Sequence, residues 1–62
     1  MELMIDGQRK RAAFTGTLGS LLKKLKIMRE EVVVKVNGRL APETREIGPK
    51  DKVEVVKVVF GG

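Results

Sequence analysis

The 62-residue chain contains neither histidine nor cysteine. It therefore lacks the commonest general base and the commonest thiolate nucleophile. Its carboxylates at Asp6, Glu43, Glu46, Asp51 and Glu54 are scattered through segments that read as turns and strands, without metal-ligand spacing. Thr15-Gly16-Thr17-Leu18-Gly19 precedes an apolar repeat but lacks the G-x-x-x-x-G-K-S/T pattern of a phosphate loop. Catalysis by the chain's own side chains is disfavoured, which leaves the backbone at its end. The sequence closes on Phe60-Gly61-Gly62, so the carboxylate of Gly62 follows two residues without side chains. Such a tip can thread a channel too narrow for any other residue. A carboxylate is a poor electrophile, because its charge repels nucleophiles and oxide is a bad leaving group. Transfer of AMP from ATP converts it to a mixed anhydride that a sulfur donor or an amine can attack. The chain supplies none of the machinery for that step, so no cofactor is expected on it. ATP, magnesium and a sulfur donor would be handled by a partner enzyme.

The elements that must present this tip follow from pattern. Leu3-Met4-Ile5 reads as a first strand, and Asp6-Gly7 is a turn dipeptide tolerant of positive φ. A second strand is expected over Arg9 to Phe14, with Phe14 inward. Thr17 is a suitable helix N-cap. Leu18, Leu21, Leu22 and Leu25 then fall at i, i+3, i+4 and i+7, one apolar stripe of a helix of about three turns. Val32, Val34 and Val36 alternate with Val33, Lys35 and Asn37, the period of a strand with one buried face, and Asn37-Gly38 closes it. Ala41 to Thr44 and Gly48-Pro49 read as loops with little regular structure between them. Lys52 to Lys57 is the last strand, with Val53 and Val55 on one side. Alternation then sends Val56, Val58 and Phe60 toward the opposite side. Either a bulge resets the phase or these residues await a partner.

Composition bounds the rest. A chain this short makes one domain, 1–62, with no room for both a core and a deep catalytic cleft. Without a staple it must rely on helix and sheet packing. No signal-like segment or membrane-length apolar run is visible, so a soluble cytoplasmic protein is expected. Thirteen Lys and Arg against eight Asp and Glu give a net charge of +5. That excess is compatible with nucleic acid or an acidic partner surface. Single-strand binders stack bases on aromatic platforms, and this chain has two Phe and no Tyr or Trp, which disfavours nucleic acid.

The order of elements, together with Val36-Asn37-Gly38, Asp51-Lys52-Val53-Glu54-Val55-Val56 and Gly61-Gly62, resembles the small ubiquitin-like sulfur carriers over essentially the whole chain. The likeness is nearest to the thiamine-pathway carrier, with the molybdopterin synthase small subunit a larger relative. It implies an α+β, ubiquitin-like β-grasp fold, a mixed sheet of four to five strands on one helix, with residues 58–62 as a protruding Gly-Gly tail. By the same resemblance Gly62 is adenylated by a ubiquitin-activating-type enzyme and converted to a thiocarboxylate, with Gly61 as the penultimate position. Sulfur then passes to an acceptor: thiazole synthase, the molybdopterin synthase large subunit or a tRNA thiolase. The open sheet face and tail would form the partner surface, anchored through Val58, Val59 and Phe60. Two alternatives accompany this reading. One is a protein modifier joined through Gly62 to lysine amines. The other is a basic RNA-binding module using Arg9, Lys10, Arg11, Lys23, Lys24 and Lys26.

Overall fold

A computed structural model describes residues 1–58; Val59, Phe60, Gly61 and Gly62 lie outside the described residues. Strands β1 (Glu2–Ile5) and β2 (Gln8–Arg11) form the expected hairpin. Its turn holds Asp6 at φ 48° and Gly7 at φ 80°, and the turn after β4 (Val32–Val36) holds Asn37 at 54° and Gly38 at 82°. Two successive left-handed residues match the twist of the flanking strands, which is why Asp-Gly and Asn-Gly recur there.

Strand β2 ends at Arg11, three residues short of the expected Phe14. The chain leaves the sheet after Ala12 and packs Phe14, half-buried, against the core. Gly16 sits at φ 145°, and a Cβ built on it would come within 3.1 Å of the Phe14 ring. Gly16–Thr17 (β3) pairs with Glu46–Ile47 (β6) as a two-residue ribbon that the sequence pattern does not announce.

Thr17 caps α1 (Leu18–Lys24), its Oγ1 accepting from the Ser20 N–H at 3.2 Å. The helix has seven residues rather than the three turns expected. The physical reason lies at its end, where Leu25 is the C-cap and Lys26 adopts φ 59°. The Lys26 N–H donates to the Lys23 carbonyl and the Ile27 N–H to the Leu22 carbonyl, the paired bonds of a Schellman motif. Leu18, Leu21 and Leu22 are fully buried, whereas Leu25 is half-buried.

A 3₁₀ turn (Arg29–Glu31) leads into β4, and β5 (Arg39–Leu40) and β7 (Lys52–Lys57) complete the main sheet. Its order is β2-β1-β7-β4-β5, so the last strand occupies the middle, parallel to β1 and antiparallel to β4. Leu3 lies opposite Val53, Val53 opposite Val36, and Val55 opposite Val34, which collects the buried residues of three strands on one face under α1. Each fully buried Leu or Val contributes roughly 1.5 to 3 kcal/mol relative to exposure. No polar side chain is buried among the described residues. Five strands on one helix, with the C-terminal strand between β1 and β4, make the β-grasp architecture.

Candidate docking site at the tail exit

The position of β7 decides where the chain's end emerges. Lying between β1 and β4, it is fixed on both flanks up to its last residues. The Asp6 N–H donates to the Val55 carbonyl at 3.2 Å, and the Lys57 N–H donates to Asp6 Oδ1 at 3.4 Å. From the other side the Val58 N–H donates to the Glu31 carbonyl at 2.8 Å. The hairpin turn and the 3₁₀ turn thus hold the root of the tail between them. Val58, expected as an anchor, is half-buried at this root. The other expected site residues, Val59, Phe60, Gly61 and Gly62, lie outside the described residues.

The β4–β7 register runs without interruption from Val36↔Val53 to Val32↔Lys57. No bulge therefore resets the phase through Lys57, and the alternation carries Val56 to the face away from α1. There it stands opposite Val33, the two exposed to 41% and 37%. A pair of exposed valines beside the tail root is an apolar contact that the fold leaves unused. Met4, half-buried, shares this outer face through its pairing with Glu54, and Lys35 lies opposite both Glu54 and Leu40. The face is apolar next to the exit, and farther away it carries the charged Glu54 and Lys35 with the exposed Leu40 at its edge. Pattern alone placed Val56 outside the core; Val33 carried its signal as an apolar residue where alternation called for a polar one.

The basic residues weighed for nucleic acid are divided between two elements. Arg9, Lys10 and Arg11 lie on β2, whereas Lys23 and Lys24 belong to the helical layer, with Lys24 Nζ 5.7 Å from the centre of the Phe14 ring. At the pole opposite the exit, Asp51 Oδ1 accepts from Asn37 Nδ2 at 2.9 Å and Oδ2 from the Gly48 N–H at 2.8 Å, with Arg45 Nη2 3.8 Å away. The Asn37 hydrogen bond foremost, then the Gly48 N–H and the Arg45 charge, hold the Asp51 carboxyl below its ordinary range. Asn37 Oδ1 in turn accepts from the Lys52 N–H at 3.0 Å, so this carboxylate fixes the start of β7. Among the described residues no group of three or more acidic, histidine or cysteine side chains is placed to hold a metal ion. No helix among them is long and apolar enough to cross a membrane.

The ThiS family model matches residues 4–62, from β1 through both terminal glycines. The chain belongs to the ThiS family. A crystal structure of the thiamine biosynthesis protein ThiS from Geobacter metallireducens is similar over 100% of both chains, at 26% identity and a TM-score of 0.69. A solution NMR structure of a thiamine biosynthesis protein from the same organism covers 100% of this chain and is itself covered to 88%, at 26% identity and a TM-score of 0.65. No significant match is found among curated proteins. The fold and family expected from the turn dipeptides, the strand pattern and the Gly-Gly ending are those observed, and the family match reaches the terminal glycines.

Proposed function

We propose that this ThiS-family chain is a sulfur carrier of thiamine biosynthesis and acts as a protein co-substrate, with the carboxylate of Gly62 as its reactive group. A ubiquitin-activating-type enzyme transfers AMP from ATP to this carboxylate and releases pyrophosphate. A sulfur donor then displaces AMP to leave a thiocarboxylate, and the acceptor enzyme, in this reading a thiazole synthase, takes the sulfur. ATP and the sulfur donor are bound by the partners. The carrier contributes a rigid body, an apolar docking pair at Val33 and Val56, and a side-chain-free end at Gly61-Gly62. The observation that carries this reading is the family match extending through residue 62. The anchoring of β7 from both sides supports it, because it fixes the position of Val58, four residues before Gly62.

The test is C-terminal peptide mass spectrometry after incubation with ATP, magnesium, a sulfur source and a candidate activating enzyme, followed by a thiol-alkylating reagent. Alkylation is needed because exchange of oxygen for sulfur adds nearly the mass of an oxidised Met1, Met4 or Met28. In a chain without cysteine the expected result is a single ATP-dependent alkyl adduct on Gly62, absent after deletion of Gly61-Gly62. An ATP-dependent linkage of Gly62 to lysine without any thiocarboxylate would replace the carrier reading with that of a modifier.

A further inference from the structure

Strand β2 is an edge of the main sheet, and all four of its residues are exposed. Which of its backbone groups are free follows from the hairpin register. Met1 and Ala12 exchange both backbone bonds, Met1 N to Ala12 O at 2.8 Å and Ala12 N to Met1 O at 3.1 Å. In an antiparallel ladder such pairs alternate with pairs that make no bonds to each other. Leu3↔Lys10 and Ile5↔Gln8 are therefore the next bonded pairs, and Glu2↔Arg11 and Met4↔Arg9 are not. The N–H and C=O of Arg9 and of Arg11 consequently point away from β1, off the edge of the sheet. Two residues spaced by two, each presenting a donor and an acceptor, are a template for one more strand.

The side chains on this edge choose the partner. Arg9 and Arg11 share the outer face, while Lys10 lies on the other. Arg9 Nε is 3.7 Å from Glu2 Oε1, but that carboxylate is also engaged by Lys52 Nζ at 3.5 Å. Among the described residues no carboxylate comes within ion-pair distance of Lys10 or Arg11. Like charges directly opposite each other destabilise a strand pair, so three consecutive cations repel the β2 edge of a second copy. Opposite charges stabilise it, and an acidic strand meets no such barrier. Past Arg11 the edge runs into a cleft of about 760 Å³ whose walls carry Ala13, Phe14 and Pro49, the cation Lys50 and the carboxylates Glu2 and Asp51, the last two already paired with Lys52 and Arg45.

We propose that the β2 edge is a β-addition site for an extended acidic segment of a partner protein, one carrying carboxylates at alternate positions that face Arg9 and Arg11. Strand-spaced backbone donors and acceptors fit a peptide rather than a phosphate chain, and no aromatic side chain lies on β2 to stack a base. The free backbone edge of β2 lies two strands from Val56 in the sheet order, so it serves a contact separate from Val33 and Val56. It does not depend on the chemistry assigned to Gly62.

The probe is an acetylated, amidated peptide Val-Glu-Val-Glu-Val-Glu-Val, titrated into the ¹⁵N-labelled protein. The expected result is shifts confined to Gln8–Phe14 and slowed amide exchange at Arg9 and Arg11. The Arg9→Glu/Arg11→Glu double variant should bind at least tenfold more weakly, about 1.4 kcal/mol. The same peptide with Lys for Glu, or N-methylated on the amides that face β2, should not bind. Arg9→Gln/Arg11→Gln repeats the comparison if charge reversal disturbs folding. No binding at ~1 mM peptide, undiminished binding of the N-methylated peptide, or shifts centred on Val33 and Val56 would overturn the proposal. So would tighter occupation of the same residues by a single-stranded RNA oligonucleotide, or dimerisation through β2.

Discussion

At Asp51 two hydrogen bonds, from Asn37 and the Gly48 N–H, and the nearby Arg45 charge favour the charged form of one carboxyl group. The folded protein thus binds this proton less tightly than the unfolded chain, whose aspartate titrates near 3.9. Between the two pKa values the unfolded state holds more protons, so stability rises with pH there. The contribution is fully present above about pH 4 and disappears as pH falls through the depressed folded value. Asp51→Asn should lower the urea midpoint at neutral pH and flatten the acid limb of the stability profile. A profile parallel to that of the unsubstituted protein from pH 5 down to pH 2 would remove Asp51 from its cause. Val56 makes a contrasting case, because its side chain faces outward beside the tail root. Val56→Lys should change stability by less than about 1 kcal/mol. On the proposed function it should raise the KM of the activating enzyme for this chain while sparing kcat, since that reading puts docking at Val56 and chemistry at Gly62. An unchanged KM would mean that the valine pair is not a contact.

Helix α1 ends on a residue poorly suited to its backbone. Lys26 is left-handed at the position where the Schellman motif ordinarily places glycine, and a side chain there costs roughly 1 to 2 kcal/mol. Lys26→Gly should therefore stabilise the fold, by about 0.5 to 1 kcal/mol once the greater freedom of glycine in the unfolded chain is discounted. Thermal unfolding would show it as a raised midpoint, and a lowered one would deny that Lys26 is strained. The same residue explains why the helix end was hard to foresee. The leucine stripe runs on to Leu25 with no glycine or proline to stop it, so periodicity extends the helix past its cap. The two hairpin turns, by contrast, were legible because Asp6-Gly7 and Asn37-Gly38 state their backbone angles in their residue types. The β3–β6 ribbon was not, since two residues are too few to show a period.

Over the whole molecule, what the sequence disclosed was the Gly-Gly ending on which the proposed chemistry rests, and what it withheld was the surroundings. Gly61-Gly62 can be read from composition alone. The Val33–Val56 pair, the grip on the tail root by Asp6 and Glu31, and the free edge groups of Arg9 and Arg11 all depend on register between strands distant in the chain. The parallel pairing of β1 with β7 has a further consequence, one for synthesis on the ribosome. Glu2 sits opposite Lys52 and Ile5 opposite Val55, so β1 can find its interior neighbour only after β7, some fifty residues later in the chain, has been added. Such a topology cannot close before β7 is made, and its long loop closure slows the search. A nascent chain interrupted before β7 leaves β1 and β4 with unpaired inner edges and their apolar face incomplete. A chain that has folded is therefore one in which β7, the strand that leads toward Gly61-Gly62, was already made.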